Sequence, residues 1–182
     1  MMHVTPTSLP DVLLIEALSF ADKRGWFLES FNQRQFEAAT GVHVPFVQDN
    51  LSHSKRNVLR GLHYQVPQAQ GKLVQILSGQ VFDVAVDLRR SSPTFGQWVG
   101  NILSSKHHHQ AWIPEGFAHG FLTLSDTASV LYKVTNYYAP DCERTLAWND
   151  PALGIQWPLQ SEPVLSEKDK QAAGLQVTPL FD

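Results

Sequence analysis

Between residues 12 and 148 the chain alternates short apolar or half-apolar runs with clusters of Gly, Pro, Asn and Asp, a punctuation that predicts an all-β architecture. The runs place strands at 12–15, 26–31, 46–52, 58–64, 73–77, 81–88, 98–103, 111–113, 120–124 and 129–135. Ser78-Gly79-Gln80 reads as a hairpin turn, because Gly accepts positive φ without steric cost. Two helices interrupt the pattern. One opens on Asn32 as N-cap, with Gln35 three residues on, and stops at Gly41; the other opens on Ser166 and runs on through Lys170 to Ala173. So many short strands and so few helices predict a mainly β fold, a double-sheet jelly roll whose interior can hold a small ligand.

Composition narrows the function classes. At 182 residues and 43% hydrophobic content the chain is expected to form one domain, 1–182, with a substantial core. A net charge of −3 argues against a general nucleic-acid binder, which carries a basic surface for phosphates. Any anionic ligand must therefore be met by local cations. The one cysteine, Cys142, cannot close an internal disulfide, and the opening residues lack a secretory pattern, so the cytoplasm is the expected compartment. Apolar runs such as 81–88 are broken by Asp83 and Asp87 and are far shorter than the about 20 residues a membrane span needs. No membrane role is expected.

The richest chemistry lies between Arg60 and Lys72, in Arg60-Gly-Leu-His63-Tyr-Gln65 followed by a turn and Gly71-Lys72. An imidazole of ordinary pKa near 6.5 can take a proton at neutral pH, and two nearby cations suit an oxyanion or an anionic substrate. Strict alternation would send Arg60 and His63 to opposite faces. Gly61 between them is a natural site for a bulge that turns both to one cavity. Lys72 alternates with Val74 and Ile76, either as a snorkelling edge lysine or as a buried cation. The second constellation, Pro114-Glu-Gly116-Phe-Ala-His119, is a turn expected to set His119 at the start of the next strand.

Two imidazoles raise a metal site, but zinc and iron centres take three or more N, O or S ligands and Gln65 stands where another His would be needed. No metal and no cofactor are expected. His107-His108-His109, flanked by Ser104, Ser105, Lys106 and Gln110, reads as an exposed loop whose side chains diverge. Tyr132 and Tyr138 are either packing residues or a proton donor and a stacking platform. Asp169 either caps the helix begun by Ser166 or accepts a hydrogen bond from His63.

These segments together resemble the dTDP-4-dehydrorhamnose 3,5-epimerases, members of the cupin-like jelly-roll, or double-stranded β-helix, group. The resemblance rests on Asp22-Lys-Arg24-Gly25-Trp-Phe-Leu-Glu29, Gln48-Asp49-Asn50-Leu-Ser52, Leu59-Arg60-Gly-Leu-His63-Tyr-Gln and Gln70-Gly-Lys72. It extends through Val81 to Arg89, Ser92 to Trp98, Trp112 to Phe121, Tyr132-Lys, Trp148 to Pro151 and Ser166-Glu-Lys168-Asp169. It implies that His63 removes the C3 and C5 protons of a dTDP-4-keto-6-deoxy sugar, with Asp169 behind it, Tyr132 as proton donor and Lys72 at the C4 oxygen. It further implies ligand contacts at Arg24, Glu29, Gln48, Asn50, Arg60, His119, Glu143 and Lys168, and thymine stacking on Tyr138. A homodimer is implied, Arg24 and Glu29 reaching the nucleotide of the neighbouring subunit. Enzymes inverting only C3 or only C5, a metal-dependent cupin and a non-catalytic sugar-binding jelly roll are the competing readings.

Overall fold

The alternating runs emerge as strands of two antiparallel sheets packed face to face. The computed structural model describes residues 2–182. In chain order the strands are β1 (His3–Pro6), β2 (Leu13–Glu16), β3 (Ser19–Asp22), β4 (Gly25–Leu28), β5 (Gln48–Lys55), β6 (Leu59–Gln65), β7 (Lys72–Ser78), β8 (Gln80–Asp87), β9 (Trp98–Ser104), β10 (His109–Ile113), β11 (Phe117–Thr123), β12 (Thr127–Val134) and β13 (Glu143–Thr145), with helices α1 (Gln33–Thr40) and α2 (Glu167–Lys170). One sheet runs β1-β2-β10-β7-β12-β5, the other β13-β6-β11-β8-β9, and β3 with β4 forms a separate hairpin. This is the jelly roll that the strand pattern predicts.

Three apolar layers hold it. Val74, Ile76, Ala111, Ile113 and Val130 from the larger sheet meet Val81, Ala85, Phe117 and Phe121 from the smaller one. Fully burying such side chains stabilises by roughly 1.5–3 kcal/mol each. Outside the larger sheet, Phe36 of α1 packs with Ile15, Leu73 and Trp112. Outside the smaller one, Leu62, Tyr64, Val84 and Ala118 are covered by Leu146, Leu153, Trp157 and Phe181. The chain that follows β13 is stitched to this outer face by bridges Val58–Val164, Leu146–Ala173 and Arg89–Phe181, and Tyr64 Oη lies 2.6 Å from Thr178 Oγ1. That wrapping brings α2 behind β6.

Helix α1 has the ends its sequence predicts: Asn32 Oδ1 accepts from Gln35 N at 3.2 Å, and Gly41 is left-handed at φ 72°. Gly79, at φ 81°, makes the β7–β8 turn.

Several boundaries differ from the expectations. The strand placed at 26–31 stops at Leu28, and the one placed at 46–52 is displaced to Gln48–Lys55. Strand β11 starts at Phe117, so His119 sits within the strand rather than at its start. Helix α2 ends at Lys170 instead of reaching Ala173, because Ala173 is drawn into an extended bridge with Leu146, its carbonyl accepting from Ala147 N at 2.8 Å. The three histidines are not one exposed loop. His107 ends a 3-10 turn and His108 is left-handed at φ 53°, but His109 opens β10, half-buried and 3.7 Å from Glu16. Ser104 and Gln110 beside them are buried, because β9 closes and β10 opens within this short link.

Candidate active site

A cavity of about 260 Å³ opens between the sheets at one end of the jelly roll. Its walls come from both sheets: Arg60, His63 and Gln65 on β6 and His119 on β11 face Gln48, Asn50 and Ser52 on β5, Lys72 on β7 and Tyr132 on β12. Glu143, Tyr138 and Lys168 complete the lining.

The shared face of Arg60 and His63 has a backbone cause. On β11, His119 pairs with His63 and Phe121 with Arg60, so two steps of one strand oppose three of the other. The extra residue is a bulge, and Gly61 sits in it at φ 110°. A Cβ there would lie 2.7 Å from Gly120 Cα and from His119 O, which excludes any larger residue.

His63 Nε2 lies 2.6 Å from Asp169 Oδ1. Asp169 combines both roles its sequence position offers. Its backbone N–H donates to Ser166 Oγ at 3.2 Å, capping α2, while Ser166 Oγ donates to Asp169 Oδ2 at 2.7 Å. With Nε2 given to a carboxylate, Nδ1 is the ring nitrogen left without a partner among the described residues. Burial pushes the His63 imidazole below its ordinary range, against the opposing pull of Asp169, and the Lys168 and Lys72 charges add to the lowering. Burial raises the Asp169 carboxyl, but the hydrogen bonds and charge of His63, with Ser166, outweigh it and hold the group below the usual carboxylate range. At neutral pH the pair is thus a neutral imidazole oriented by a carboxylate.

Lys72 is a buried cation, 6% exposed, not a snorkelling one. Its Nζ donates to the His63 carbonyl at 2.8 Å. Burial brings its pKa down to about 8, with the charges of Asp83 and Glu143 opposing. It stays protonated at neutral pH, ready for an oxyanion. His119 is likewise paired, its Nε2 2.7 Å from Oδ2 of buried Asp83.

Tyr132 has its phenol raised by burial, with Glu143 adding and Arg60 opposing. Toward solvent, Glu143 accepts from Lys168 Nζ at 2.7 Å and from Tyr138 Oη at 3.0 Å. Gln48 holds the same loop, its Oε1 accepting from Tyr138 N at 3.0 Å and its Nε2 donating to Asn50 Oδ1 at 2.8 Å.

Arg24 and Glu29 do not line this chain's cavity. Arg24 is at the exposed β3–β4 turn, ion-paired with Asp22, and Glu29 accepts from Gln35 Nε2 at 2.8 Å. The sequence reading missed Gln65 as a strut: its Nε2 donates to Gln68 O at 2.8 Å and its Oε1 accepts from Ala139 N at 2.9 Å, tying down the loop of Tyr138. Its position two residues after His63, on the same face, was the available signal. Ser52, two residues after Asn50, was missed on the same footing. Among the described residues, no group of three or more His, Cys, Asp or Glu side chains is arranged to hold a metal ion. Nor is any described helix long and apolar enough to cross a membrane.

Comparison with known families decides the lineage: the profile described as dTDP-4-dehydrorhamnose 3,5-epimerase matches residues 6–176. The chain belongs to the dTDP-4-dehydrorhamnose 3,5-epimerase family. The epimerase of that name from Pseudomonas aeruginosa is 62% identical over 170 residues, covering 93% of this chain and 94% of the relative. That from Salmonella typhimurium is 59% identical over 183 residues, covering 100% and 97%. Among solved structures, the Legionella pneumophila dTDP-6-deoxy-D-glucose-3,5-epimerase, crystallised with dTDP-4-keto-L-rhamnose, superposes with a TM-score of 0.96 at 48% identity over 100% of both chains. The cupin-like jelly roll of this epimerase family is thus the fold of the chain.

Proposed function

We propose that the protein inverts C3 and C5 of dTDP-4-dehydro-6-deoxy-D-glucose, giving dTDP-4-dehydro-L-rhamnose for dTDP-L-rhamnose biosynthesis. The observation that carries the mechanism is the origin of two side chains. His63 rises from the smaller sheet and Tyr132 from the larger one, and both line the same cavity. Inversion requires a proton to leave one face of a carbon and another to arrive on the opposite face, so acid and base must stand on opposing walls.

In this reading Nδ1 of His63 takes the proton from the carbon beside the C4 ketone. The electron pair moves onto the C4 oxygen, whose negative charge is held by Lys72. The Tyr132 hydroxyl then delivers a proton to the other face, the enolate collapses to the ketone, and solvent restores both residues for the second carbon. A positioned general base is worth roughly 10²–10⁴ in rate and an oxyanion donor about 10²–10³. Asp169 stabilises the imidazolium formed on the way. Arg60 takes the diphosphate, Tyr138 stacks on thymine, and Gln48, Asn50, His119, Glu143 and Lys168 orient the remainder. The chemistry needs no cofactor, and a cytoplasmic location is expected for it.

A homodimer belongs to the same reading. Phe20, Trp26 and Phe27 on the β3–β4 hairpin are 62%, 64% and 70% exposed, an apolar patch of the kind that marks an interface. The hairpin that carries them also carries Arg24, and Glu29 follows it, so docking on a second copy would bring the two missing contacts to that copy's cavity.

Incubation with dTDP-4-dehydro-6-deoxy-D-glucose in deuterated water tests the function. Deuterium at both C3 and C5 is expected; label at one carbon would restrict the enzyme to a single inversion, and label at neither would overturn the reading. Light scattering tests the dimer, with twice the chain mass expected and the monomer mass overturning it.

A further inference from the structure

We infer that Ser52 is a diphosphate ligand, its hydroxyl donating to a phosphate oxygen beside Arg60. The inference rests on the reading that Arg60 meets the diphosphate. Its starting point is an unmet group: the Ser52 hydroxyl oxygen is sealed from bulk solvent and has no hydrogen-bond partner. Buried hydroxyls are nearly always paired, so an orphan one calls for an explanation. Three other side chains carry such atoms among the described residues, Thr123, His109 and Gln110. None of these three lines the cavity, whereas Ser52 does.

The surroundings say which ligand atom fits. Gln48, Asn50, Ser52 and Ser54 alternate along one face of β5. Ser54 Oγ accepts from Arg60 Nε at 2.9 Å, which steers the guanidinium against this strand and next to Ser52. The Asn50 carbonyl is already occupied by Gln48 Nε2, at 2.8 Å, leaving its amide N–H₂ as the free end. This stretch of wall therefore offers donors, namely the guanidinium, the Asn50 amide and the Ser52 O–H, and lacks a free carboxylate or carbonyl. A run of donors around an arginine suits anionic oxygens, and hydrogen bonds to charged acceptors are the strong ones. The sugar ring, by contrast, is bracketed by His63, Lys72 and Tyr132.

The test is calorimetric titration of dTDP into wild type, Ser52→Ala, Ser52→Cys and Arg60→Ala, with far-UV circular dichroism confirming each fold. Cysteine fills the site with a slightly larger thiol that is a weak donor, so it reports on the hydrogen bond even if the gap left by alanine destabilises the strand. Loss of one hydrogen bond to an anion corresponds to about tenfold or more in Kd, and that is the weakening expected for both Ser52 variants. Affinity for dTDP within twofold of wild type in the folded Ser52 variants, with Arg60→Ala impaired, overturns the Ser52 inference alone. If Arg60→Ala also binds dTDP normally, the reading of the diphosphate site falls with it. A loss confined to dTDP-hexose, with dTDP unaffected, puts the hydroxyl on the sugar and likewise overturns the assignment.

Discussion

Oδ1 of Asp169 lies 2.6 Å from Nε2 of His63, and its other oxygen is held by the helix-capping serine, Ser166. The carboxylate that orients the imidazole is thus itself oriented. Asp169→Asn keeps the size of the group but removes its charge, and turnover should fall by about 10²–10⁴ as the imidazolium loses its counter-charge. His63→Ala should abolish both turnover and solvent-deuterium exchange. Steady-state kinetics and mass spectrometry of recovered sugar measure the two, and full activity in either variant would refute the dyad.

Tyr132→Phe separates the half-reactions. The base and the oxyanion cation remain, so deuterium should still enter the sugar while inverted product falls by about tenfold or more. Proton NMR distinguishes washed-in deuterium from changed configuration. Equal loss of both would place Tyr132 outside the reprotonation step.

Lys72 predicts an alkaline limit. With its pKa at about 8, the cation is lost as pH rises through that value, and kcat/KM should decline above it. The His63 imidazole, held below its usual 6.5 by burial, sets an acid limb lower than that figure. Lys72→Gln should lower the rate by about 10²–10³ and erase the alkaline limb. A limb unmoved by the substitution would assign it to another group.

Acid stability follows from the same groups with the signs worked out. Burial leaves folded His63 binding protons less readily than the unfolded chain, so stability falls as pH drops below about 6.5, where the unfolded imidazole charges. A second loss comes from Asp87, buried among Arg89, Ser92 and Thr94, with its pKa lowered to about 2 from 3.8. Its contribution is complete above the unfolded value and disappears as pH falls from about 4 toward about 2. Asp87→Ala, which leaves Arg89 to Asp11 alone and removes the acceptor of the Ser92 and Thr94 hydroxyls, should cost about 3 kcal/mol at neutral pH by urea denaturation.

The histidine run makes a negative control with a correction built in. Replacing His107, His108 and His109 by alanine should leave turnover near wild type, since none lines the cavity. It should still lower the Tm by a few degrees, because half-buried His109 opens β10 beside Glu16.

Most of the jelly roll was legible because its strands are short apolar or alternating runs set off by Gly, Pro, Asn and Asp. The parts that were not legible lack that apolar pattern for identifiable reasons. β13 is Glu143-Arg144-Thr145, three polar residues that pair with β6 through the backbone, and β1 ends on a proline as an edge strand can. In β5 both faces are polar because one of them is the cavity wall, so function erased the pattern that would have fixed the strand's bounds. Residue types in the site were legible where the chemistry is distinctive, as at His63 and Lys72. A plain serine such as Ser52 or Ser166 carries no such signature until its neighbours are known.

Gly61 gives the site a sensitivity to length rather than to chemistry. A strand sorts its side chains by parity, odd positions to one side and even to the other, and the single extra residue between Arg60 and His63 resets that count halfway along β6. Substituting a neighbour alters one contact. Adding one residue to this interval would upset the match of three steps to two and turn either the base or the arginine out of the cavity, leaving every chemical group present and the active site unassembled.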